Sequence, residues 1–124
     1  MATPEPSAIE RHLETTQAAL ERVGSDELGA RMADGDLVVD IRPEADRRAE
    51  GELEGALVVE RIHLEWRLDP TSRDRIPEAT PGRRVVVVCN EGYSSSLAAA
   101  SLVALGVDAT DLVGGFRALA AGTT

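Results

Sequence analysis

The sequence has one cysteine, no lysine, and one each of tryptophan, tyrosine and phenylalanine among its 124 residues. A single cysteine excludes an internal disulfide and any metal site built from several cysteines. With so few aromatics the core must come from Val, Leu, Ile and Ala, and a hydrophobic content of 43% is enough to build one. All 13 basic residues are arginine, a usage that, with the alanine and glycine content, fits a GC-rich bacterial genome. The net charge of −9 works against nucleic acid and anionic membrane as partners, because both select clustered basic residues. No apolar run reaches the roughly 18–20 residues that span a bilayer. The start, Met1 to Ser7, has neither the basic stretch nor the apolar stretch of a signal peptide, so a cytoplasmic location is expected. The length suits one domain with one core.

The order of elements reads as alternating helix and strand. Residues 1–6 carry two prolines and are expected to be disordered. Ser7 suits the cap of a helix running to about Val23, with Ile9, Leu13, Leu20 and Val23 at helical spacing. Ser25 or Asp26 suits the cap of a second helix ending near Ala33. Leu37 to Arg42 reads as a strand, and Pro43 opens a short charged helix from Glu44 to Glu50. Ala56 to Val59 reads as a short strand. Residues 61–69 read as a helical piece with Ile62, Leu64 and Leu68 inward and Trp66 partly so. The proline-rich stretch 70–84 is expected to be loop with a turn of helix. A valine strand, a helix to Leu105, a strand over 109–113 and a helix opened by Gly114 and Gly115 complete the chain. Such alternation implies a mostly parallel sheet covered on both faces.

The segment from Val85 to Ala100 carries the chemistry. Four valines lead into Cys89, then Asn90-Glu91-Gly92-Tyr93, then Ser94-Ser95-Ser96 and an alanine-rich helix. A lone cysteine after such a run is commonly a small core residue. The polar loop that follows is poor core material and puts Cys89 at a boundary with solvent. Loop amides and a helix N-terminus converging on one sulfur stabilise a thiolate, so an exposed thiol more acidic than free cysteine is expected. The serines can donate to that site or cap the helix. Glu91 should oppose both the thiolate and an incoming anion, since no basic residue stands between positions 85 and 116.

These motifs resemble those of the single-domain rhodanese-like sulfurtransferases, over about Ser25 to Leu119. Asp40-Ile41-Arg42 resembles that family's strand-end Asp-x-Arg, and Gly51 to Ala56 its Gly-His-Ile-Pro-Gly-Ala segment. Cys89 to Ser95 resembles its cysteine loop, and Val113-Gly114-Gly115-Phe116 its late Gly-Gly turn. The resemblance implies a three-layer α/β domain at 25–122, with about five strands, helices on both faces, and an extra N-terminal tail and helix at 1–24. It implies sulfane-sulfur transfer through a Cys89 persulfide, from thiosulfate or a persulfide to a thiol, cyanide or partner-protein thiol, with no cofactor and no metal. Asn90, Glu91, Gly92, Tyr93, Ser94 and Ser95 would form the anion-binding loop, and Asp40 and Arg42 would shape the pocket.

The sequence departs from the family where its frequent loop arginine is Ser94, and where its His and Pro are Glu52 and Glu54. A strand-end ion pair is the plainer reading of Asp40 and Arg42. Arg47, Arg48 and His12 read as solvated, and His63 as structural. A module that binds or senses through Cys89 without catalysis is the alternative function. A related-fold phosphatase needs an arginine six positions after the cysteine to cradle its oxyanion, and that position is Ser95.

Overall fold

Four consecutive valines cannot all face one core, and in the structure they serve two. The computed structural model describes residues 4–122. Val85 and Val87, with Cys89 beyond them, pack with Leu64, Leu68, Ala98, Ala99 and Leu102. Val86 and Val88 point the other way, into a cluster with Val23, Leu28, Leu112 and Phe116. This is the two-residue period of a strand whose faces are both covered, which is why no polar residue alternates with the valines.

The elements in chain order are α1 (Ala8–Ala18), α2 (Leu28–Ala33), β1 (Leu37–Asp40), α3 (Glu44–Glu50), β2 (Leu57–Val58), α4 (Leu64–Leu68), β3 (Val85–Val88), α5 (Ser94–Ala104), β4 (Ala109–Asp111) and α6 (Gly115–Gly122). A 3-10 turn at Arg61–His63 leads into α4. The strands form one parallel sheet in the order β2-β1-β3-β4. Helices α4 and α5 supply one apolar layer, and α2 and α6 the other. The chain steps outward from β1 to β2 and then crosses back to β3. The C-terminal ends of β1 and β3 therefore flank the point where strand order reverses, where such sheets open a crevice. Arg42 leaves β1 there and Cys89 leaves β3.

The expected fifth strand is a single bridge. Val23 pairs in parallel with Leu112, its N–H bonding the Asp111 carbonyl at 2.9 Å and its carbonyl accepting the Val113 N–H at 2.8 Å. The same pairing ends the first helix early. Ser7 and Glu10 form a reciprocal capping box at its start, as Ser7 suggests, but α1 stops at Ala18 because Val23 must be extended to reach the sheet. Two further expectations are corrected: Ile62 is 71% exposed rather than inward, and 70–84 holds turns but no helix. His63, read as structural, is exposed. Of the start expected to be disordered, residues 1–3 lie outside the described residues, and 4–6 have no regular structure. No helix among the described residues is long and apolar enough to cross a membrane.

Candidate active site

Cys89 sits one residue past β3, where the ladder ends and the chain must turn toward α5. Its sulfur is ringed by donors from that turn. The Gly92 N–H points at Sγ from 3.2 Å and the Ser95 N–H, in the first turn of α5, from 3.4 Å. Ser95 Oγ lies 3.2 Å from Sγ. The expectation of an exposed thiol is corrected: Cys89 is 4% exposed, because the loop wraps the sulfur. Burial alone would push the thiol up. The hydrogen bonds from the Ser95 and Ser94 hydroxyls and the Ser95 and Gly92 amides together outweigh it and hold Cys89 below the ordinary thiol range. The rate of Cys89 alkylation by a small neutral reagent should accordingly rise with pH through a midpoint below that of free cysteine. A midpoint at or above the free value would contradict the donor ring.

The loop depends on two close approaches that only glycine permits. Gly92 has φ +86°, and a Cβ there would stand 2.7 Å from the Gly114 nitrogen. Gly115 has φ +63°, and its Cβ would stand 2.5 Å from the Cys89 carbonyl oxygen. With no side chain in the way, α6 begins directly beneath the loop. The Phe116 N–H donates to the Cys89 carbonyl at 2.8 Å and the Arg117 N–H to the Asn90 carbonyl at 3.0 Å. Unpaired amides at a helix start thus hold the backbone that carries the sulfur.

The serines do not cap α5. Tyr93 occupies the cap position and makes no side-chain cap bond. Ser95 and Ser96 instead each donate to Asp111 Oδ2 at 2.7 Å. A fully buried carboxylate is the stronger acceptor and has the greater need of donors. Arg22 completes its shell, with Nε 2.8 Å from Oδ1 and Nη2 3.2 Å from Oδ2. In the neutral thiol the Ser95 proton goes to Asp111 and the Cys89 S–H donates to Ser95 Oγ. Once the sulfur is ionised the Ser95 hydroxyl can turn to it, because Asp111 keeps Ser96 and Arg22.

The remaining expected residues divide. Asp40 and Arg42 form a buried ion pair, with Arg42 Nη2 2.8 Å from Asp40 Oδ2 and 2.9 Å from the Gly51 carbonyl. The Arg42 guanidinium lies 3.8 Å from the centre of the Phe116 ring, and so backs the residue that holds the Cys89 carbonyl. Asn90 turns outward to Glu50 at 3.1 Å. Tyr93 is 59% exposed and borders an apolar groove of about 430 Å³ with Ile9, Leu13 and Gln17 of α1. Glu91 is not the uncompensated charge expected. Arg117 reaches it at 2.9 Å and Glu50 at 2.9 Å, and the Arg117 hydrogen bond is the largest reason that the Glu50 carboxyl is lowered. Arg47 is drawn inward rather than solvated, donating to the Arg42 carbonyl at 2.7 Å.

Sequence reasoning missed Gln17, Arg22, Asp111 and Arg117. One signal was present for Asp111: an acidic residue inside the otherwise uncharged run Ala109 to Val113, which buried-strand logic leaves unexplained.

The family model described as the rhodanese-like domain matches residues 25–121. A protein of unknown function from Rhodopseudomonas palustris, described as a possible tyrosine phosphatase, superposes with a TM-score of 0.82 at 25% identity, covering 98% of this chain and 95% of its own. That match takes in α1, which the family model leaves out. A rhodanese homologue from Thermus thermophilus is 31% identical with a TM-score of 0.57, covering 77% of this chain and 96% of its own. A human single-domain sulfurtransferase shares the fold, with a TM-score of 0.65 at 22% identity over 83% of this chain and 97% of its own. No curated protein matches the sequence significantly.

Proposed function

The chain belongs to the rhodanese-like domain family, and from that premise we propose that it is a sulfurtransferase carrying sulfane sulfur on Cys89. The observation that carries the reading is the ring of the Gly92 amide, Ser95 amide and Ser95 hydroxyl around one sulfur. Such a ring suits an anion on sulfur, first the thiolate and then the persulfide. The thiolate attacks the outer sulfur of thiosulfate, the S–S bond breaks, and sulfite leaves with the bonding pair. A thiolate or cyanide then takes the outer sulfur from the Cys89 persulfide, and the Cys89 thiolate is restored. The donor is thiosulfate or a persulfide, and the acceptor is cyanide, a small thiol or a partner-protein thiol. The acceptor must be external, because the chain has no second cysteine. Asp40 and Arg42 shape the pocket from behind, through Phe116. The setting that suits a lone catalytic thiol is the reducing bacterial cytoplasm.

Mass spectrometry after incubation with thiosulfate tests the reading. Addition of one sulfur to Cys89, removed again by cyanide, is expected. No addition, to a chain whose Cys89 alkylates readily, would favour the binding or sensing module. A phosphatase reading has less support, since the sixth residue after Cys89 is Ser95, a neutral side chain already bound to Asp111.

The rim charges set donor preference. Glu91→Gln should raise kcat/KM for thiosulfate, and Arg117→Ala, which leaves Glu91 and Glu50 unpaired, should lower it. Each change should be roughly two- to five-fold at low salt, since exposed charges act weakly. Both effects should shrink as ionic strength rises and matter less for a neutral polysulfide donor. Steady-state rates for the two variants at low and high salt check this, and movement of both in the same direction would exclude charge as the cause.

A further inference from the structure

Two polar side chains from before residue 25 reach the sulfur loop. Arg22 Nη2 donates to the Gly92 carbonyl at 2.8 Å while the same guanidinium chelates Asp111. Gln17 Nε2 lies 3.2 Å from the Gly92 carbonyl and 3.2 Å from Ser96 Oγ. The Gly92 N–H points the other way, at Cys89 Sγ. Arg22 and Gln17 therefore grip the far side of the residue whose amide serves the sulfur. Asp111 is 0% exposed and shares the Ser95 hydroxyl with that sulfur. An unneutralised carboxylate two hydrogen bonds from Sγ would oppose the thiolate and keep the Ser95 proton for itself. The guanidinium, 17% exposed, is the cation that offsets it.

We propose that Arg22, assisted by Gln17, is a positioning residue of the sulfur site: it neutralises Asp111 and orients the Gly92 peptide, leaving the Ser95 hydroxyl and the loop amides free to serve the Cys89 sulfur. The segment before residue 25 is thus a working part of the site. For its effect on turnover the inference rests on the sulfurtransferase reading. Its effect on the thiol does not. The other charges around Cys89 are already paired: Asp40 with Arg42 at the end of β1, and Glu91 and Glu50 with Arg117 at the rim. Arg22 and Asp111 are the pair in direct hydrogen-bonded reach of the loop and of Ser95.

The test is the pH dependence of Cys89 alkylation by iodoacetamide on the full chain, with thermal melting to check folding and thiosulfate kinetics alongside. Arg22→Gln should raise the alkylation midpoint by about one pH unit or more and lower kcat/KM for thiosulfate at neutral pH by about tenfold. Arg22→Lys, which keeps the charge, should stay within a few tenths of a pH unit of the wild type. The double variant Arg22→Gln, Asp111→Asn, which removes both charges, should return to the wild-type midpoint or fall below it. An unshifted midpoint in folded Arg22→Gln would overturn the proposal, as would a double variant whose midpoint stays as high. If Arg22→Gln fails to fold, the lysine variant decides: a midpoint displaced by a full unit overturns the proposal, and one near wild type supports it. Alkylation needs no sulfur donor. Shifted midpoints with no sulfur uptake by any form, wild type included, would remove the sulfurtransferase reading and leave the positioning role. Uptake by the wild type with unshifted midpoints would do the reverse.

Discussion

Cys89→Ser is expected to take up no sulfur from thiosulfate and to lose at least about three orders of magnitude in transfer rate, down to the uncatalysed background. No other thiol in the chain can take its place. A serine hydroxyl is smaller and far less acidic, and it cannot form a persulfide. The substitution should leave the fold intact. A hydroxyl at that position can still accept from the Gly92 and Ser95 amides, so no buried donor is orphaned. The melting temperature should move by only a few degrees. A serine variant that transfers sulfur at a comparable rate would end the persulfide mechanism. One that is inert because it is unfolded would show the thiol to be part of the core first and a nucleophile second.

Gly115→Ala should be strongly destabilising. Its Cβ would lie 2.5 Å from the Cys89 carbonyl oxygen and 2.6 Å from the carbonyl carbon and oxygen of Asn90, all backbone atoms that cannot swing aside. Relief requires moving either the sulfur loop or the start of α6, and the Phe116 and Arg117 amide bonds then lengthen. A cost on the order of 3–5 kcal/mol follows, a large part of the stability of a domain this size. Gly82→Ala is the control. Gly82 also has positive φ, at +79°, but nothing lies within 4 Å of its Cβ position, so only the backbone strain of about 1 kcal/mol applies. Thermal melting of the two variants separates clash from strain. In the Gly115 variant any folded fraction should also show a raised alkylation midpoint at Cys89, because the loop amides no longer converge. Equal melting temperatures for the two variants would mean that α6 slides without cost.

What could be read in advance was whatever is written contiguously. The valine strand, the cysteine after it, the glycine-bearing loop and the following helix are consecutive, and their physics is local. The capping box at Ser7 and the short charged helix behind Pro43 are local too. The parts that escaped depend on distant partners. Nothing near Val23 says that it will extend to pair with Leu112 rather than finish a helix. Ser95 and Ser96 have the composition of caps, and only the arrival of Asp111 from β4 redirects their hydroxyls. Glu91 reads as a lone negative charge until α6 folds back and brings Arg117 beside it. Ile62 has the spacing of an inward residue, but its 3-10 turn points it to solvent.

The amides of α6 that hold the Cys89 and Asn90 carbonyls come from a helix that follows Cys89 in the chain. During synthesis the cysteine leaves the ribosome before its support exists, and β4, with Asp111, also emerges after it. Until both have docked, residue 89 is a thiol on a loose segment, with the acidity and reactivity of any free cysteine. Its raised acidity should therefore appear only after β4 and α6 have docked. A chain stalled short of α6 should carry the whole cysteine motif with only a free thiol's reactivity, so thiol acidity would report on the docking of α6.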